Sequence, residues 1–189
     1  MKNPPDADAI IAQTRCWIEQ VVIKLNLCPF ARKPFESGKV RFVVSTAEQP
    51  EALRADLQRE LEFLSSTDAD AVETTLLIHP NVLHDFLNYN DFLDVVDALI
   101  EEQDYEGEFQ VASFHPHYHF AGTTTDAAEN YTNRSPYPTL HLLREASLEH
   151  AIDGYAHPEK IPERNIRTLN ELGAEHMREV LRLCMRGDE

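Results

Sequence analysis

The chain has 189 residues, 42% hydrophobic and 26% charged, the makeup of one globular domain (1–189) with a sizeable core. Its formal net charge of −16 would repel phosphate backbones and anionic membrane surfaces, so neither nucleic acid nor membrane is an expected partner. No window approaches the ~18 continuous apolar residues of a membrane helix, and residues 1–15 lack the basic start and apolar core of a secretory leader.

Ile10, Ile11, Thr14, Trp17, Ile18, Val21, Val22 and Leu25 recur at helical spacing, with Asp6 or Asp8 as cap and an end near Asn26, before Pro29. Lys39 to Ser45 is β-branched and reads as a strand. Pro50 suits the first turn of a helix carrying Leu53, Leu57, Leu61 and Leu64. Thr74 to Ile78 is a second strand, apolar enough to be buried on both faces. Val82 to Gln103 reads as helix with a break at 88–90, and Phe109 to Phe114 as a third strand.

Thr139 is placed to cap a helix running to about Ile152, and a last helix spans Pro162 to about Cys184. Strands alternating with helices predict an α/β fold. The expected architecture is a small, mainly parallel, three- to four-stranded sheet with helices packed on it and two C-terminal helices. The fourth strand is sought at His117 to Thr124, as an antiparallel edge.

Cys16, Cys28 and Cys184 form no C-x-x-C, so zinc-ribbon and thioredoxin motifs are absent. Free thiols in a cytoplasmic protein are the simplest expectation. Neither G-x-x-x-x-G-K-[ST], G-x-G-x-x-G nor G-x-S-x-G occurs, which disfavours ordinary NTPases, Rossmann oxidoreductases and typical α/β hydrolases.

The chemistry is concentrated between Phe114 and Glu145, which holds His115, His117, His119 and His141 out of nine histidines. Long irregular segments in compact domains tend to be functional or disordered, and the aromatic content here argues against disorder. Strands two and three both end in His-Pro, at His79 and His115. Parallel strands would bring both imidazoles to the carboxyl edge, where open α/β sheets bind ligands. The plainer account is that each proline ends its strand and each histidine is a bonded core-edge residue.

His115, His117 and His119 alternate, so an extended segment would present three imidazoles to one divalent transition metal; polar loop histidines are the bland alternative. Asn133 and Arg134 lead into the helix expected at Thr139, whose N-terminus suits an anion. On that helix His141, Arg144 and Glu145 would share a face, either for proton transfer or as an ion-paired surface. Cys28 follows a helix C-terminus, which does not activate a thiol, and reads as structural.

The segments LNLCPFA (25–31), FHPHYHFAG (114–122), NRSPYP (133–138) and LHLLRE (140–145) resemble an uncharacterised family of about this length, found in bacteria and plastid-bearing eukaryotes. The resemblance spans nearly the whole chain. It implies a single-domain unit and carries no reaction or site residue.

The residues admit three functional readings. The first is an enzyme acting on a small polar or anionic molecule at the carboxyl edge. His115 would be its acid/base, with His79, His141 and Glu145 in support and Asn133, Arg134, Thr139 and Arg144 binding substrate. The second is a metal-dependent hydrolase or metal-binding protein using His115, His117 and His119. The third is a non-catalytic ligand-binding or interaction domain with a structurally rigid loop. Nothing in the sequence sets the oligomeric state.

Overall fold

Asp6 opens the first helix by accepting a hydrogen bond from the Ala9 N–H at 2.8 Å, satisfying a donor that has no partner inside the helix. The structure is a computed structural model describing residues 6–186. Residues 1–5, where the N-terminal stretch read above begins, and residues 187–189 lie outside it. Helix α1 (Ala7–Trp17) runs unbroken into a π-helical turn, Ile18–Ile23, marked by bonds of Lys24 N–H to Glu19 O and Leu27 N–H to Val22 O. Asn26, at φ 54°, ends it.

There follow α2 (Arg32–Glu36), β1 (Val40–Val44), α3 (Pro50–Ser66), β2 (Thr74–Ile78), α4 (Phe86–Glu102) and β3 (Phe109–Phe114). Helix α4 starts later than its periodicity suggests, at an Asp85 cap whose carboxylate accepts from Asn88 N–H, and it runs through 88–90 without a break.

The largest departure lies beyond β3. Residues 117–124 form no strand. The fourth strand is β4 (Thr139–Arg144), where a helix was expected, and only α5 (Glu145–Asp153) of that segment is helical. The sheet order is β1-β2-β4-β3, with β1–β2 parallel and β4 antiparallel to both β2 and β3. The sheet is therefore mixed, not mainly parallel. The loop after β3 stays at the carboxyl edge, so the chain re-enters there and must run back between β2 and β3; Thr139 pairs with both Ile78 and Phe114. The expected last helix is two, α6 (Ile161–Leu172) and α7 (Ala174–Arg186), parted by Gly173 at φ 82°, a conformation costly for any residue with a side chain.

Helices cover both faces, so the fold is α/β. One core joins α3 and α4 to Leu77, Leu140, Leu142 and Phe109. The other joins α1 and the π-helical turn to Leu76, Phe42 and Phe114, with Leu169 of α6 and Met177 of α7 behind. No described helix is long and apolar enough to cross a membrane. The thiols also depart from expectation. Cys16 of α1 and Cys184 of α7 form a disulfide with a Cα–Cα distance of 5.4 Å, and Cys28 alone is free. Two helices converging on one hydrophobic seam bring the pair within bonding reach; disulfides of this kind are rare where thiols are kept reduced.

Candidate functional site

The two His-Pro strand ends do meet. His79 and His115 flank the Tyr89 ring at 5.7 and 5.0 Å between centroids, and all three are fully buried. Their polar atoms are turned inward on the backbone. Tyr89 donates to Thr139 O at 2.9 Å and accepts from Phe114 N–H at 3.1 Å, bridging the end of the β3–β4 ladder. His115 Nδ1 accepts from His117 N–H at 3.0 Å, which leaves its Nε2–H to donate to Leu83 O at 3.1 Å. His79 donates from Nδ1 to Val82 O, and its Nε2 is sealed without a partner. Burial pushes both imidazoles down to about 4, so both are neutral at pH 7.

The loop after β3 is likewise knotted by its own side chains, as an irregular buried segment requires. Asn133 donates to Ser113 O and accepts His115 N–H on its carbonyl. Arg134 donates to Tyr118 O and Thr125 O. Asn130 accepts from Phe120 N–H and the Thr123 hydroxyl and donates to Thr124 O. His115 and His119 pack on the Phe86 ring at 5.5 and 5.0 Å. Among the described residues no three His, Cys, Asp or Glu side chains are placed to hold a metal ion.

Because residues 139–144 are a strand, Thr139 caps no helix, and His141 and Arg144 lie on opposite faces of the sheet rather than on one helix face. Arg144 donates to Leu64 O and Thr67 O at 2.7 Å and to Val72 O at 3.2 Å, so it closes the C-terminal end of α3. Thr139 donates to Tyr137 O. Glu145 begins α5, its N–H bonded to Glu108 O.

His141 is differently placed. Register sets Leu76, His141 and Ala112 in one row across β2, β4 and β3, on the face toward α1. That row floors a cavity of about 220 Å³. Trp17, Ile18 and Val22 wall it from the α1–π-helical segment, Phe30 and Ala31 from the LNLCPFA segment, and Leu148 from α5. π-Helical turns are rare and occur frequently at functional sites.

The Thr74 hydroxyl lies 2.5 Å from Leu142 O and 2.8 Å from His141 Nε2. A carbonyl only accepts, so the single hydroxyl hydrogen goes to Leu142 O, and Thr74 must accept from His141 Nε2–H. Burial pushes the imidazole down to about 4. It is therefore neutral, and Nδ1 presents a bare lone pair that no donor among the described residues fills and that is not sealed off.

Cys28 sits at the cavity rim and is exposed. Crowding of the sulfur nevertheless pushes its thiol up, against the opposing pull of the Phe30 and Ala31 N–H groups and Arg164. It is not an activated nucleophile.

Sequence reasoning named His141 but gave it a helix face. It missed the cavity walls, which come from segments far apart in the chain. The alternation Leu140, Leu142 against His141, Leu143 is the one local signal that a strand, with a histidine on its second face, was present.

No curated protein and no solved structure matches the chain. A family model described as a protein of unknown function, DUF1415, matches residues 9–179, and the chain belongs to that family.

Proposed function

We propose that the protein binds a small, largely apolar molecule carrying one hydrogen-bond donor, in the cavity floored by Leu76, His141 and Ala112. The observation that carries this reading is the His141 Nδ1 acceptor, unfilled among the described residues, in a lining that is mainly apolar although Glu73, Thr74, Arg144 and Ser147 border it. Small-molecule sites have this character, an apolar lining with a few fixed polar groups. An engineered apolar cavity of about 150 Å³ takes up benzene, so about 220 Å³ has room for a ring with a substituent. An imidazole near pKa 4 is a weak base at neutral pH, which favours binding over proton abstraction. The self-bonded loop at the carboxyl edge then serves as a rigid frame, as the third reading of the sequence has it.

Trp17 is the only tryptophan and lines the cavity, so its emission reports occupancy. Phenol should change that emission saturably, with Kd on the order of 1 mM from the area a single ring buries. Ala112→Leu fills the floor beside His141 and should weaken phenol at least about tenfold while unfolding stays cooperative. A linear, unsaturating quench, or wild-type affinity in Ala112→Leu, would refute the assignment.

A further inference from the structure

A second cleft lies on the far side of the histidine loop, between that loop and α7. Pro116, His117, Thr125, Asp126, Tyr131 and Arg134 line it from the loop, and Arg178 and Leu181 from α7; its volume is about 550 Å³. The chain is strongly acidic, yet two arginines face this one space with a single carboxylate.

Each cation has unspent bonding capacity. Arg134 is fixed by its Nε–H on Tyr118 O at 2.9 Å and one Nη2 hydrogen on Thr125 O at 2.6 Å, with its guanidinium 4.8 Å over the Tyr131 ring. Its Nη1 group has no partner among the described residues. Arg178 is exposed, and the adjacent Glu179 is taken by Arg182. Tyr131 is 4% exposed, but its hydroxyl has no partner among the described residues and is not sealed off. His117 is exposed, and its ring makes no hydrogen bond among the described residues. Asn130 and Arg134 together tie four loop carbonyls and donors in place, so these groups are held before any ligand arrives.

We propose that this cleft binds a small phosphomonoester bearing a free hydroxyl. The phosphate brings nearly two negative charges and three acceptor oxygens at neutral pH. Arg134 and Arg178 match that charge, and Arg guanidinium is the side chain best shaped for phosphate oxygens. The Tyr131 hydroxyl and the His117 ring supply further donors. Asp126 would repel a second anionic group but accepts from a hydroxyl, which selects a polyol-type ester over a bis-phosphate. The site does not depend on occupancy of the His141 cavity.

Calorimetric titration of the full chain with glycerol 3-phosphate and with inorganic phosphate tests it. The ester should bind more tightly than phosphate. Arg178→Gln, a surface change, should weaken both about tenfold, the worth of one charge-assisted contact. Asp126→Ala, which leaves no side-chain acceptor, should remove the advantage of the ester. Wild-type affinity in Arg178→Gln, an ester no tighter than phosphate, or no heat with either up to about 20 mM overturns the proposal. The phenol response of Trp17 in Arg178→Gln should stay as in wild type, keeping the two sites separable.

Discussion

Lowering the pH from 7 to 5 is expected to cost the protein several kcal/mol of stability. His79, His115 and His141 are each pushed by burial to about 4 in the folded chain, against 6.5 when unfolded. Between those values the unfolded chain binds more protons, so stability rises with pH and is lost as pH falls from 6.5 toward 4. Each pH unit costs about 1.4 kcal/mol per group. By pH 5 that is about 2 kcal/mol each and at most about 6 kcal/mol together, with the His141 share smaller because that ring is only part-buried. A loss of this size rivals the whole stability of an ordinary domain, about 5–15 kcal/mol. Relief of the −16 net charge over the same range would act the other way, so a measured loss is not a general charge effect. Urea unfolding at the two pH values measures it, and His141→Gln, whose amide can still donate to Thr74, should lessen the dependence. A midpoint that does not move would contradict the burial of these rings as neutral groups.

Breaking the Cys16–Cys184 bond should be nearly as costly. It joins the first helix to the last across a separation of 168 residues, so it constrains almost the entire unfolded chain. Loop-closure entropy puts that at about 5 kcal/mol, and at roughly 2–4 °C per kcal/mol the melting temperature should fall by about 10–20 °C. Thermal melts with and without a phosphine reductant measure the shift, and Cys184→Ser should reproduce it and abolish any further response to reductant. Thiol titration of the denatured protein should find one free thiol before reduction, Cys28, and three after. Three thiols without reduction would show that the bond does not form.

The elements legible in the sequence were those whose local pattern agrees with their surroundings. Val40–Val44 and Thr74–Ile78 are β-branched and apolar, and Pro50 begins α3 at the one helical position that welcomes it. Residues 139–144 were not legible, because Leu140, Leu142 and Leu143 suit either period. What makes them a strand is ladder partners on both sides, which come from distant sequence. The π-helical turn at Ile18–Ile23 keeps the apolar spacing of an α-helix and leaves no compositional mark.

The candidate site was obscured for a related reason. The histidines and arginines of 114–145 stood out by density. Yet a long loop folded into a protein must satisfy its own backbone, and His115, Asn130, Asn133 and Arg134 are largely consumed in doing so. His141 escapes that use because a strand, unlike a loop, has its backbone bonded by its neighbours. Its side chain is left to face the space between sheet and helix.

The hydrogen on His141 is the point on which the binding reading turns, and ¹⁵N spectra of the imidazole rings at pH 7 read it directly, with His141→Gln for assignment. Expected is a protonated Nε2 and a bare Nδ1, whose resonance moves toward the hydrogen-bonded position as phenol is added and stays put with toluene, a ring of similar size without the donor. A hydrogen found on Nδ1, or phenol saturating the Trp17 signal while Nδ1 does not move, would contradict it.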